Sequence, residues 1–266
     1  MPAVYAHDRF GQDVIAEIDG TAKEMIETNR LAFDIGLQGP DILFYYRPYL
    51  PNPVKKIGSI LHGYTGRRYY GNLTAWQEEY GDDISFTYLL GSVCHFTLDS
   101  LCHPLIDARE AKGDVLHEDI EAAFDRALLV ADGLDPETTV LGAGLTGDEV
   151  PEVAESISIF YPRVTVRQLT EGIRSVYGLQ KILTTPTPAK RRFLTGVLGA
   201  AGSKGRALSA HILPQTQPPE LEECIGQLAD LYDEALALAP EMLSAVIEGC
   251  YGNRKFPAAF DKTFSG

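Results

Sequence analysis

His95, Asp99 and His103 recur at intervals of four residues, and His117 and Glu121 repeat the step. On a helix, positions four apart share one face, one turn above each other. The first three therefore make a stripe of imidazole, carboxylate and imidazole, and the last two make a shorter one. Two such stripes facing each other would enclose a ligand-dense polar pocket between helices, which a packed core does not require. Val93, Phe96, Leu98 and Leu101 flank the first stripe, so its helix reads as largely buried. Burying several ionisable groups without compensation is costly, and metal coordination would supply the missing partners. A single pair at this spacing needs no metal, because a helix-surface contact worth about 0.2–0.5 kcal/mol accounts for it. The accumulation of pairs is what favours a metal.

Further donors lie upstream: His62 in SILHGYTGRRYY, His7 near the start, and Asp41 in LQGPDILFYY. Five of the six histidines and three carboxylates exceed what one four-coordinate ion takes, and suit two or three. Cys94, Cys102, Cys224 and Cys250 include no CxxC pair, so they read as reduced thiols. Cys94 and Cys102 immediately precede His95 and His103, a step off the ligand face, and read as small buried apolar residues.

The rest of the chain alternates helical patterning with Gly and Pro punctuation. The apolar spacing predicts helices over residues 12–34 (broken near Gly20), 54–80, 84–103, 115–131, 164–183, 190–199 and 220–238. Pro240 ends or kinks the last of these, with 241–248 as a continuation. The best strand signal is the short segment 156–161. Residues 132–151 and 200–219 read as broken loops, the second carrying Lys204 and Arg206. An all-α fold is expected: one multi-helix domain over residues 1–266, with the chemistry in 1–130 and packing helices beyond.

The formal net charge of −14 argues against stable nucleic-acid binding and against any broad affinity for anionic lipid. It does not exclude a small anionic substrate, because a bound cation can dominate the local charge. No Ser–His–Asp arrangement is apparent, and GAAGSKGR at 199–206 lacks the GKS/T ending of a phosphate-binding loop. No basic stretch followed by an apolar run opens the sequence, and no apolar stretch is long enough to span a bilayer. A cytoplasmic protein without a transmembrane segment is the expectation.

The run HFTLDSLCHP followed by His117 and Glu121, with GLQGPDILFYY and an early histidine, resembles the zinc-dependent phospholipase C family. The wider superfamily includes the single-strand-specific zinc nucleases. The resemblance covers about residues 2–130 closely. It implies that Asp41, His62, His95 and Asp99 hold one zinc ion and that His103, His117 and Glu121 hold a second. A third would be held by His7 and a bridging Asp99, together with the mature N-terminal amine and carbonyl. Removal of Met1 would leave Pro2 to supply those last two ligands. By the same resemblance Asp41 orients or deprotonates the attacking water. The implied activity is cleavage of a lipid or other small phosphoester. The alternatives are hydrolysis of soluble phosphoesters or oligonucleotides, and a helical metal-binding protein without turnover. The oligomeric state is not indicated.

Smaller features carry two readings each. Asp125, Glu118 and Asp119 would either orient ligand imidazoles or line a solvated helix face. Arg67 and Arg68 could reach a substrate phosphate or sit at the surface. Phe44, Tyr45, Tyr46 and Tyr49 would pack the core or wall a pocket beside Asp41. His211, in the second broken loop, reads as structural or solvated.

Overall fold

The computed structural model describes residues 4–48 and 50–266. Among these the regular structure is helical and no strand occurs: α1 (Val4–Glu17), α2 (Thr21–Thr28), α3 (Arg30–Gly36), α4 (Pro53–His62), α5 (Gly66–Tyr80), α6 (Asp83–Glu110), α7 (His117–Ala131), α8 (Val150–Ser156), α9 (Val166–Leu183), α10 (Pro188–Ala200), α11 (Gly202–Ser209) and α12 (Glu222–Cys250). The expected all-α class holds.

Helix α6 is the axis of the molecule. Asp82 caps it by accepting from the Ser85 amide at 2.7 Å, while the Ser85 hydroxyl accepts from the Asp82 amide at 2.9 Å. This reciprocal arrangement satisfies two amides that a helix start leaves unpaired. From Ser85 to Ser100 every side chain of α6 is buried, so α6 needs partners on all sides. Helices α12 and α3 supply the largest of them, with α1 and α7 beside the ligand stripe. The approach of α3 is close because Gly36 meets Gly91: a Cβ on Gly91 would lie 2.9 Å from Gly36 Cα and would overlap the Phe33 carbonyl oxygen. A continuous apolar core runs from Val4 and Phe10 through Phe33, Tyr88, Leu90 and Phe96 to Leu228, Val246 and Phe264.

The predicted boundaries needed several corrections. Residues 12–34 break at Gly20 and again at Asn29. The stretch 54–80 is two helices, because Gly63 ends α4 and Thr65 caps α5. Helix α6 continues beyond 103 through Pro104, and α12 runs through Pro240 to Cys250. In both cases the surrounding packing outweighs one lost helical hydrogen bond. The expected strand at 156–161 is the end of α8 followed by a 3-10 turn, Ile157–Phe160. Ile157 and Phe160 are both buried, so burial here recurs at three rather than two. The second broken loop contains α11.

Candidate metal centre

The eight donors named from sequence are carried into one region by five elements. Asp41 sits in a 3-10 turn, Gly39–Leu43, entered through Gly39 at φ +49°. Only glycine adopts that conformation without strain, and a Cβ there would lie 2.8 Å from His95 Cγ. His62 ends α4. His95, Asp99 and His103 form successive turns of α6, and His117 and Glu121 form the first two turns of α7. His7 comes from α1, whose first-turn amides on Tyr5 and Ala6, left without helical partners, donate to the Asp125 carboxylate at 3.2 and 2.8 Å. Burial pushes the Asp125 carboxyl up to about 7 in spite of these bonds. Asp125 is therefore the buried anchor of α1 on α7, not part of a solvated face.

The imidazoles are aimed. His62 Nδ1 faces the Gly58 carbonyl oxygen at 2.8 Å, His95 Nδ1 faces that of Leu37 at 3.1 Å, and His103 Nδ1 faces that of Phe264 at 2.8 Å. A carbonyl only accepts, so each Nδ1 is the donor, and Nε2 is the nitrogen left to face a metal once its own proton is displaced. Those Nε2 atoms converge on carboxylates. His62 Nε2 lies 2.8 Å from Asp41 Oδ1, and His95 Nε2 lies 3.7 Å from Asp41 Oδ2 and 3.1 Å from Asp99 Oδ2. His7 Nε2 lies 3.1 Å from Asp99 Oδ1. In the second group Glu121 Oε1 is 3.6 Å from His103 Nε2 and 3.1 Å from His117 Nε2. Asp99 Oδ1, 3.7 Å from His103 Nε2, joins the two groups.

These spacings fit a metal. Donors about 2.1 Å from a tetrahedral zinc lie roughly 3.4 Å from each other, and the distances above bracket that value. One donor atom each from Asp41, His62, His95 and Asp99 falls within a 4.8 Å span, and the same holds for His103, His117 and Glu121. His95 Nε2, Asp99 Oδ2 and Glu121 Oε2 are buried without a hydrogen-bond partner among the described residues. His95 Nε2 and Asp99 Oδ2 are close enough to bond but are not aligned to do so. Buried polar atoms left unpaired cost roughly 1–3 kcal/mol each, and a shared cation would satisfy them together. His7 and Asp99 meet as expected for the third group, but Pro2 lies outside the described residues.

Electrostatics point the same way. Burial alone would raise the carboxyls, yet His62 and His95 hold Asp41 below its usual range. His103, His95 and His7 hold Asp99 well below it, and His103 and His117 help to depress Glu121. Burial would lower His103, but Asp99 and Glu121 push it up to about 10. Without a metal His103 and His117 thus favour the protonated form beside ionised Asp99 and Glu121, and a dication would displace those protons. Burial also raises the Cys94 and Cys102 thiols, so they remain neutral residues behind the ligand face.

Other residues settle into plainer roles. Arg67 pairs with Asp261 and donates to the Phe256 carbonyl, and the Arg68 guanidinium stacks 3.7 Å from the Tyr64 ring centre. Tyr45 and Tyr46 are buried in the core, Phe44 lies against the His62 ring, and Tyr49 lies outside the described residues. Asp119 caps the start of α7 by accepting from the Leu116 amide.

Four contributors escaped the sequence reading. Asp107, 3.3 Å from His117 Nδ1, extends the stripe of 95, 99 and 103 by one more step of four, so the same spacing could have revealed it. The carbonyls of Leu37 and Gly58 carry no side-chain signal. Phe264 lies near the end of the chain, yet its ring packs against His62 and His95 while its carbonyl holds His103. Pro104 explains part of that docking: it cannot donate to the Ser100 carbonyl, which Lys262 Nζ approaches at 3.5 Å. Residues beyond 130 therefore help to shape the centre.

No curated protein and no solved structure matches the chain. The family model described as zinc dependent phospholipase C matches residues 6–177, well past the expected limit of about 130 and across all eight donors. With that span of the sequence matched, the chain belongs to the zinc-dependent phospholipase C family.

Proposed function

We propose that this protein is a zinc-dependent phosphodiester hydrolase of the phospholipase C type. The observation that carries the reading is the convergence of Nε2 atoms on Asp41, Asp99 and Glu121, with three of the rings held from behind by main-chain carbonyls. Asp41, His62, His95 and Asp99 would hold one ion, and His103, His117 and Glu121 a second. His7 and Asp99 would form part of a third. Zinc bound there would supply Lewis acidity, making water a nucleophile near neutral pH and offsetting charge on a phosphate ester.

The protein's own groups do the rest. Asp41 stays ionised because His62 and His95 favour its charged form, so it can orient a water by accepting its hydrogen bond. Its low proton affinity makes it a better positioner than base. Asp99 touches donors of both groups and holds them in one fixed relation. The Phe44 and Phe264 rings around His62 and His95, with Phe264 backed by Phe96, limit water access, which strengthens charge interactions inside.

The deciding experiment measures bound metal together with chelator-sensitive hydrolysis of bis(p-nitrophenyl) phosphate, phosphatidylcholine and single-stranded DNA. The reading expects two to three zinc ions per chain and cleavage of the first two substrates. Zinc-loaded protein inert on all three would leave a metal-binding protein without turnover. Cleavage of DNA alone would replace the lipid reading with a nuclease.

A further inference from the structure

The acidic net charge conceals a segregated surface. From Gly172 to Pro219 the chain holds seven Lys and Arg and no Asp or Glu, although its formal net charge is −14. Helices α10 and α11 occupy the middle of this stretch and pack against each other as a hairpin. Thr187 caps α10 by accepting from the Lys190 amide at 3.2 Å, and Pro188 supplies a preset first-turn geometry.

The hairpin is anchored on one face only. Leu194 and Leu198 pack against the core, while Lys190 and Arg191 turn inward onto carbonyls: Lys190 Nζ on Thr184 at 2.6 Å, Arg191 Nη1 on Leu213 at 3.0 Å. These partners are neutral, so both positive charges persist. No residue of α10 is fully buried, and its outer face presents Arg192 beside Phe193, which is 69% exposed, and Val197, which is 52% exposed. Phe193 and Val197 stand four apart and form one apolar ridge. Arg206 on α11 is exposed as well. Among the described residues none of the cations of this stretch lies within 4.0 Å of a carboxylate, unlike Arg9, Arg30 and Arg67 elsewhere.

An apolar ridge flanked by unpaired cations is the make-up of a helix that lies in a membrane interface, its rings among the headgroups and its charges on anionic lipid. Acidic protein surface farther away than about 8 Å, the screening length at physiological salt, opposes this only weakly. The hairpin is also joined to α7, the helix that carries His117 and Glu121. The chain leaving it is held by Arg126 of α7, whose guanidinium donates to the Gln215 carbonyl at 3.1 Å, five residues on from Glu121. We propose that the α10–α11 hairpin is a docking face for anionic phospholipid bilayers. The face lies beyond the stretch matched by the family model, and its binding stands apart from the hydrolase reading.

Vesicle binding tests it directly. The full-length protein should sediment with phosphatidylcholine vesicles containing about a third phosphatidylserine. It should do so much less with phosphatidylcholine alone, and should be released by high salt. Each Lys or Arg at the surface is worth about fivefold in binding, so Arg192→Glu should weaken binding by about tenfold or more. Phe193→Ser should also weaken it, with the thermal midpoint of both variants unchanged because both positions are exposed. Hydrolysis of bis(p-nitrophenyl) phosphate should stay the same in these variants, separating docking from chemistry. Absent or charge-independent vesicle binding, or binding untouched by both substitutions, would overturn the proposal. Concentration-dependent self-association that Phe193→Ser abolishes, without vesicle binding, would overturn it in favour of a second copy.

Discussion

At the scale of single residues, His95 is the most constrained donor: its ring is fully buried, its Nδ1 is engaged by Leu37, and its Nε2 faces two carboxylates. His95→Ala is expected to empty the first group, reducing zinc content measured by elemental analysis and lowering phosphodiester hydrolysis by at least about a hundredfold. Unchanged zinc content would contradict the assignment. Asp41→Asn makes a different prediction, because the amide keeps one oxygen donor but loses the charge. Turnover should fall by roughly 10²–10⁴, with less effect on bound metal than His95→Ala, and equal losses of both would make Asp41 a ligand alone. The donors were legible because their spacing repeats the helical period. Their orientation was not, since a ring is turned by whatever meets its other nitrogen, and here that is backbone from elements far away in sequence.

At the scale of elements, the crossing of α3 over α6 sets the site. The contact of Gly36 with Gly91 lets the Leu37 carbonyl descend to His95, one turn beyond Gly91. Gly91→Ala has no flexible side chain to displace and must push the backbones apart, at about 1–3 kcal/mol or more. Denaturant unfolding should show that loss, and zinc titration a weakening of about 10–100-fold as the His95 ring loses its support. An affinity equal to that of the parent protein would mean that the crossing and the site are independent. Most helices were readable from apolar periodicity, but the short α8 and α11 were not, and several helix ends were missed. Pro104 and Pro240 look like stops, but both lie in helices whose packing holds them together. Residues 156–161 look like a strand only because a short apolar run has no distinguishable period.

At the scale of the whole molecule, the cluster links stability to pH with opposite signs for the two metal states. In metal-free protein His103 is raised from 6.5 to about 10, so its contribution is complete below about 6.5 and is lost as pH rises towards 10. His117 acts in the same direction. The depressed Asp41, Asp99 and Glu121 contribute above their ordinary range and lose that contribution only in acid. Zinc binding releases the imidazole protons, so its stabilisation grows with pH. Thermal unfolding with zinc and with chelator should therefore diverge between about pH 6 and 9, and parallel curves would contradict the exchange of protons for metal. The main-chain partners of His62, His95 and His103 have a consequence for how such a protein can vary. A carbonyl oxygen is present whatever the side chain, so substitution at positions 37, 58 or 264 leaves the acceptor in place as long as the backbone path is kept. The second halves of these histidines' environments are thereby insulated from point mutation and exposed to insertions and deletions, which shift whole segments. Over evolutionary time the length of the connections, more than the letters within them, would decide whether the centre survives.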